Sequence, residues 1–201
     1  MSVVEVETSH GAARAHVSTV EDARAGLVLG HGAGGGVVAR DLVATRDAAL
    51  AERIAVALIE QPYRVAGRRS PAPAHQLDAA WTAVVAHLRA AELHDLPLLV
   101  GGRSSGARVA CRTAAVTGAT GVLCLAFPLH PPGRPESSRL PELDAVSVPT
   151  LVVQGARDPF GIPPEGELRT VVLVQSDHGL RSDLAAVADV VRTWLGERVA
   201  D

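Results

Sequence analysis

The 201-residue chain contains no lysine and no asparagine. Without lysine it cannot build a Walker-A phosphate loop, form a Schiff base with a substrate or use a lysine as general base. Without asparagine it has no acceptor for N-glycosylation. These two absences exclude several large classes of enzyme and one common modification.

Aromatic residues make up only 2% of the chain, and the formal net charge is −3 with no run of basic residues. A nucleic-acid-binding domain usually presents a basic stripe, and a binder of single strands adds aromatic side chains on which bases stack. We therefore expect no nucleic-acid partner.

Cysteine is also scarce. Cys111 and Cys124 are too few for a disulfide scaffold, and their spacing is not that of a zinc site. Both lie in apolar stretches, which favours buried thiols. The histidines lack the spacing of metal ligands, so we expect no metal.

The chain has no recognisable targeting or membrane segment. Residues 1–20 have neither the basic nor the apolar region of a signal peptide, and no apolar run approaches the roughly 20 residues of a membrane helix. We expect a cytoplasmic protein without a membrane partner. A monomer and a homodimer both remain open.

Short apolar runs alternate with longer amphipathic patterns along the chain. This alternation predicts a single α/β domain over residues 1–201, with a mostly parallel central sheet and helices on both faces. Residues 61–74 and 128–149, which are rich in proline, are predicted loops. The predicted strands are residues 3–6 and 12–17 (exposed or edge strands), 25–29, 54–59, 97–100, 122–127, 150–153 and 170–174, and the predicted helices are residues 40–53, 75–92, 104–116 and 181–199.

The most informative segment is Gly102-Arg103-Ser104-Ser105-Gly106, which follows an apolar run and precedes a helical pattern. A strand, a G-x-S-x-G turn and a helix are the context of a nucleophile elbow, which exposes a serine hydroxyl at a helix N-terminus. The simpler alternative is a glycine- and serine-rich loop in which Ser104 or Ser105 only caps the helix.

An activated serine needs a base and an acid that orients the base, and both follow in the chain. Asp158 and His178 each come just after a predicted strand, so both are expected at the same sheet edge as Ser104. The order Ser, Asp, His is that of α/β-hydrolases. Taken singly, Asp158 is a turn aspartate and His178 a loop histidine. Asp177, beside His178, is expected to be solvated or to lie at a helix terminus.

Residues 30–36, the glycine loop, have two interpretations. As G-x-G-x-x-G they would bind a dinucleotide, with Glu60 on the ribose. As a His-Gly loop they would supply a backbone N–H to an oxyanion hole. We favour the second interpretation, with Ala33 and Ser105 as the backbone donors, because the first leaves Ser104 and its partners unexplained.

Together these motifs resemble the α/β-hydrolase superfamily over almost the whole chain. The resemblance rests on the glycine loop, residues 102–106, the run from Gln154 to Phe160, and Asp177-His178. The small size and the run Gln61-Pro62-Tyr63-Arg64 are similar to the cap-less branch related to dienelactone hydrolases. Dienelactone hydrolases proper carry a cysteine where this chain has Ser104, so their substrate is not carried over.

The resemblance implies an α/β-hydrolase fold with no cap domain, because residues 128–149 are too few for a helical cap. It implies a serine hydrolase, of carboxylesterase or thioesterase type, that cleaves a small ester, thioester or lactone through an acyl-enzyme. Ser104, Asp158 and His178 would be catalytic, the partner would be a small-molecule acyl substrate, and no cofactor is implied. The candidates for substrate contact are His31, Tyr63, Arg64, Arg103, His130 and Phe160.

Three alternatives stay open at this point. The fold could serve as a non-catalytic binding or scaffolding module, although the complete set of Ser104, Asp158 and His178 disfavours this. An NAD(P)-binding protein is a weaker alternative. Within the hydrolase interpretation, Arg64, Arg68 and Arg69 could recognise an anionic substrate group, but a solvated loop is the simpler explanation.

Overall fold

The structure, a computed structural model, describes residues 1–199 and is built around one eight-stranded sheet with the order β1-β2-β4-β3-β5-β6-β7-β8. The strands are β1 (Ser2–Thr8), β2 (Gly11–Ser18), β3 (Ala25–Gly30), β4 (Ile54–Glu60), β5 (Leu98–Arg103), β6 (Gly121–Leu125), β7 (Thr150–Gly155) and β8 (Arg169–Val174). The helices are α1 (Arg40–Ala51), α2 (Pro62–Val65), α3 (Ala74–Ala90), α4 (Ser105–Thr117), α5 (Leu140–Asp144) and α6 (Leu184–Arg198).

The strand directions bring the candidate site together. β1 and β2 form an antiparallel hairpin, and β2 runs antiparallel to β4. The remaining pairs in the sheet order, from β4 through β3, β5, β6 and β7 to β8, are all parallel. Because parallel strands end at the same edge, the loops after β3, β5, β7 and β8 meet there. β4 and β5 lie on opposite sides of β3, so the connections from β3 and from β4 run in opposite directions along the sheet. Such a topological switch point opens a crevice for ligands.

Two apolar cores lie on opposite faces of the sheet. Alternate residues of β3 separate between them: Val28 packs on the side of α3 and α4, whereas Leu27 and Leu29 pack on the side of α1 and α6. This alternation is expected of a strand that is covered on both faces. Since burying a leucine side chain stabilises by about 1.5–3 kcal/mol, the double cover gives the loops at the sheet edge a rigid base.

The sequence predicted the fold class correctly, but four details were wrong. Both proline-rich loops contain a short helix, α2 and α5, because a proline in the first turn of each favours a helix start as well as a loop. β5 runs on to Arg103 because its glycines continue the pairing with β6. Helix α6 begins only at Leu184, where Asp183 caps it by accepting from the Ala186 amide. β2 is not an edge strand, since β4 covers its second side.

Candidate active site

Ser104 lies in the tight turn between β5 and α4. Its backbone has φ 54° and ψ −109°, a conformation that costs a residue other than glycine about 1–3 kcal/mol. The amide of Ser104 donates to the Leu125 carbonyl at 2.9 Å, which holds the turn. A Cβ on Gly102 or Gly106 would overlap the Gly30 carbonyl oxygen. The two flanking glycines are therefore required by the close approach of this turn to β3.

His178 connects Ser104 to Asp158. The imidazole Nε2 lies 3.0 Å from Ser104 Oγ, and Nδ1 lies 2.8 Å from Asp158 Oδ2. Because the carboxylate can only accept, Nδ1 carries the hydrogen and Nε2 is free to accept from the serine hydroxyl. The three side chains, which the sequence placed after β5, β7 and β8, are in direct contact in the order that a general base requires.

The Asp158 carboxylate is buried, and donors on three sides compensate its charge. Besides His178, Gln154 Nε2 donates to Oδ2 at 2.8 Å, and the Phe160 amide donates to Oδ1 at 2.8 Å. Such a shell keeps a buried charge satisfied and fixes its direction. Gln154 was not among the residues predicted for the site. The available signal was a carboxamide side chain in β7, a strand whose six residues are all buried.

The glycine loop is held from behind by two side chains. His31 Nδ1–H donates to the Gly32 carbonyl at 2.8 Å, while His31 Nε2 accepts from the Gln61 amide at 3.2 Å. The Tyr63 hydroxyl donates to the Ala33 carbonyl at 2.8 Å. In a trans peptide the Ala33 N–H points opposite to the Gly32 carbonyl, so the bond from His31 also fixes the direction of that N–H.

The Ser105 N–H, the other predicted backbone donor, belongs to the first residue of α4. The first amides of a helix have no intrahelical acceptor and carry the positive end of its dipole. Gly32 lies beside the nucleophile turn, since a Cβ built on it would be 3.6 Å from the Ser104 Cβ. The arrangement can thus present N–H groups from two segments to one oxygen atom near Ser104.

Two predicted substrate contacts, His31 and Tyr63, need correction. Both residues are buried, and all their polar atoms are engaged with backbone groups. Burial also lowers the pKa of His31 below its ordinary value, which favours the neutral ring that these two bonds require. These side chains therefore support the glycine loop, and their polar atoms are not free to bind a substrate.

Arg103 is bound to other segments of the protein, whereas Arg64 is held only weakly. Arg103 Nε forms an ion pair with Asp41, and Nη2 donates to the His178 carbonyl, so these two nitrogens are engaged within the protein. Arg64, in α2, donates to the Arg68 carbonyl of its own loop at 3.4 Å. Arg68 itself is exposed, as a solvated loop would be.

Phe160 and His130 do lie beside the candidate site. The Phe160 ring centroid is 4.3 Å from that of His178. The amide of His130 donates to the Phe160 carbonyl at 3.2 Å, and its ring Nδ1 donates to the Pro131 carbonyl at 3.0 Å. Both side chains are partly exposed, so both are available to a ligand.

The described residues also bear on metal binding, on membrane insertion and on the dinucleotide interpretation. Within residues 1–199, no group of three or more His, Cys, Asp or Glu side chains is arranged to bind a metal ion. In the same part of the chain, no helix combines the length and apolar character needed to cross a membrane. For the dinucleotide interpretation, Glu60 would have to reach a ribose, but its carboxylate lies 3.6 Å from His16 Nε2 on β2.

Comparison with solved structures shows the same fold in several hydrolases. A serine hydrolase without lid from Xanthomonas campestris, XC6422, has a TM-score of 0.77 at 19% identity, covering 98% of this chain and 93% of that one. Est1E from Butyrivibrio proteoclasticus has a TM-score of 0.83 at 14% identity, with 100% of both chains covered. A dienelactone hydrolase from Anabaena variabilis has a TM-score of 0.76 at 16% identity, covering 98% of this chain and 96% of that one.

Sequence comparison gives the family. No curated protein matches the chain. A family model described as "Alpha/beta hydrolase domain" matches residues 23–183, which contain every candidate residue discussed above. The match therefore includes the glycine loop, the nucleophile turn and the loops after β7 and β8. The chain belongs to the alpha/beta-hydrolase domain family, in the cap-less form that resembles dienelactone hydrolase.

Proposed function

We propose that this chain is a serine hydrolase that cleaves small esters, thioesters or lactones through an acyl-enzyme. The observation that carries the proposal is the continuous chain of hydrogen bonds from Ser104 through His178 to Asp158, at 3.0 Å and 2.8 Å. A serine hydroxyl is a weak nucleophile until a base is in position to take its proton, and His178 Nε2 is in that position.

In the proposed reaction, Ser104 Oγ attacks the substrate carbonyl carbon while His178 Nε2 takes the hydroxyl proton. Asp158 stabilises the imidazolium that forms. The carbonyl oxygen becomes negatively charged, and the N–H groups of Ala33 and Ser105 bind it, each contributing about 3–4 kcal/mol in comparable enzymes. His178 then returns the proton to the leaving alcohol or thiol. Water, deprotonated by His178, hydrolyses the acyl-enzyme and regenerates Ser104.

The surroundings of Ser104 favour a small or exposed acyl group. The segment between β6 and β7 has the five-residue α5 as its helix and no cap domain. A cavity of about 330 Å³ lies to one side of Ser104, between the glycine loop and Gly179; Arg103 is in its wall, and Ser104 and His178 are not part of its lining. Phe160 provides an apolar surface next to His178. A long acyl chain would find little of the enclosed apolar wall that buries most of a bound ligand.

A fluorescent fluorophosphonate tests the proposal, because its phosphorus reacts with an activated serine. The wild type should be labelled, and Ser104→Ala and His178→Ala should not. Ser105→Ala is the matched control, since it removes the neighbouring hydroxyl but keeps the backbone N–H, and it should be labelled like the wild type. A folded wild type that is not labelled, or labelling that survives Ser104→Ala, would overturn the proposal.

A further inference from the structure

The three guanidinium nitrogens of Arg103 contact three different segments. Nε lies 2.9 Å from Asp41 Oδ2 in the first turn of α1. Nη2 donates to the backbone carbonyl of His178 at 3.0 Å. Nη1 packs against Gly32, where an added Cβ would lie only 2.7 Å away. Arg103 itself directly precedes Ser104, so one side chain connects the nucleophile turn, the histidine loop and the glycine loop.

The ion pair with Asp41 is strongly shielded from water. The Asp41 side chain is 2% exposed and that of Arg103 is 18% exposed. Asp41 Oδ1 accepts from the Leu42 amide at 3.0 Å, which anchors the carboxylate to α1. Displacing either charge of such a shielded pair leaves the other without compensation, which is strongly destabilising. Asp41 therefore anchors the guanidinium to α1.

The two other contacts of Arg103 act on backbone groups that matter for the proposed reaction. Holding the His178 carbonyl restrains the main chain that carries the imidazole. Packing against Gly32 supports the peptide whose N–H, on Ala33, is the proposed donor to the oxyanion. Lysine could not reproduce this arrangement, since its single ammonium lacks the planar fork of an arginine.

We propose that Arg103, held by Asp41, is a positioning residue that keeps the His178 loop and the glycine loop at the correct distance and orientation relative to Ser104. This inference rests on the proposed function. It differs from a merely stabilising ion pair, because it ties the loss of Arg103 to the chemical step. Misplacing a reacting group by about 1 Å can cost on the order of 100-fold in rate, whereas losing stability alone leaves the rate of the folded molecules unchanged.

The experiment compares Arg103→Met with Arg112→Met as a matched control. The Arg112 side chain is 20% exposed, similar to that of Arg103, and it forms ion pairs with Asp78 of α3 and Glu142 of α5. It therefore joins α4 to these two helices and contacts neither the histidine loop nor the glycine loop in these ion pairs. Hydrolysis of 4-nitrophenyl acetate and butyrate is measured well below both unfolding temperatures. For Arg103→Met we expect kcat to fall about 10- to 100-fold with KM within about threefold, and for Arg112→Met we expect kcat close to the wild-type value.

Two further variants test the same inference if Arg103→Met does not fold. Arg103→Lys keeps the charge and should still lose at least about fivefold in kcat, because one ammonium cannot hold three segments. Asp41→Asn keeps the shape of the anchor and should lower kcat in the same direction. If Arg103→Met folds and keeps the wild-type kcat, the inference about Arg103 is wrong, while the proposed function stands. If Arg103→Met does not fold, a folded Arg103→Lys or Asp41→Asn with wild-type kcat has the same meaning. A wild type that neither hydrolyses esters nor reacts with the fluorophosphonate overturns the proposed function and this inference together.

Discussion

Replacing Gln154 by leucine would remove the side chain that supports Asp158 from within the sheet. Gln154 is fully buried on β7. Its Nε2 lies 2.8 Å from Asp158 Oδ2, 2.9 Å from the Gly161 carbonyl and 3.1 Å from the Phe127 carbonyl. Leucine has a similar volume and no donor, so the carboxylate and both carbonyls lose this partner while the packing changes little.

The expected loss of stability follows from these contacts. A hydrogen bond to a charged group contributes about 1.5–3 kcal/mol, and a buried carbonyl left without a donor costs about 1–3 kcal/mol more. Two carbonyls lose their donor, but leucine also removes Gln154 Oε1, which is buried without a hydrogen-bond partner. The free energy of unfolding should therefore fall by about 3–5 kcal/mol. For a chain of this size each kcal/mol shifts Tm by about 2–4 °C, so Tm should fall by roughly 6–20 °C. Ester hydrolysis should also slow, because Asp158 loses part of the shell that orients His178.

Urea unfolding of the wild type, Gln154→Leu and Thr150→Val provides the measurement. Thr150 is the matched control on the same strand, since it is buried but its hydroxyl donates only to the neutral Val148 carbonyl at 3.0 Å. Thr150→Val should cost no more than about 1.5 kcal/mol. Equal losses for the two variants would refute the argument that Gln154 stabilises a buried charge.

Two other predictions concern the supports of the glycine loop and the turn. Because burial lowers the pKa of His31, the unfolded chain binds a proton that the folded chain does not, and stability should fall as the pH drops below the ordinary value of 6.5. Urea titrations at several pH values should show a smaller fall in His31→Gln, and equal falls would contradict this. Gly106→Ala should be largely unfolded by circular dichroism, since the new Cβ would overlap the Gly30 backbone. Gly36→Ala, which has open space around the new Cβ, is the control and should fold normally. A stably folded Gly106→Ala would contradict this prediction and show that the turn can move.

The sequence was sufficient to predict the fold and the order of the proposed catalytic side chains along the chain. Strand period, helix period and a G-x-S-x-G turn are local patterns, and each is readable within about ten residues. The position of Ser104, Asp158 and His178 at one sheet edge then follows from parallel strand direction alone. Their mutual hydrogen bonds agree with that expectation.

What the sequence could not supply was the set of supporting contacts. Arg103 next to Ser104 looks like a ligand-binding side chain, because nothing local shows that Asp41 is buried within reach of it. His31 and Tyr63 look equally available, and only the tertiary structure shows that backbone groups occupy them. Long side chains form contacts with residues that are distant in the sequence, and local residue patterns do not identify those residues.

The contact of Gly30 with the turn at Gly102 and Gly106 also limits how this chain can vary. The obstacle to a larger residue at either turn position is main chain and not a neighbouring side chain, so no second substitution nearby can make room for it. The identities of these three residues therefore constrain one another, whereas residues 132–138 and residues 164–167 are exposed and belong to no helix or strand. New substrate preferences should be sought in libraries that vary those two segments and leave the turn untouched.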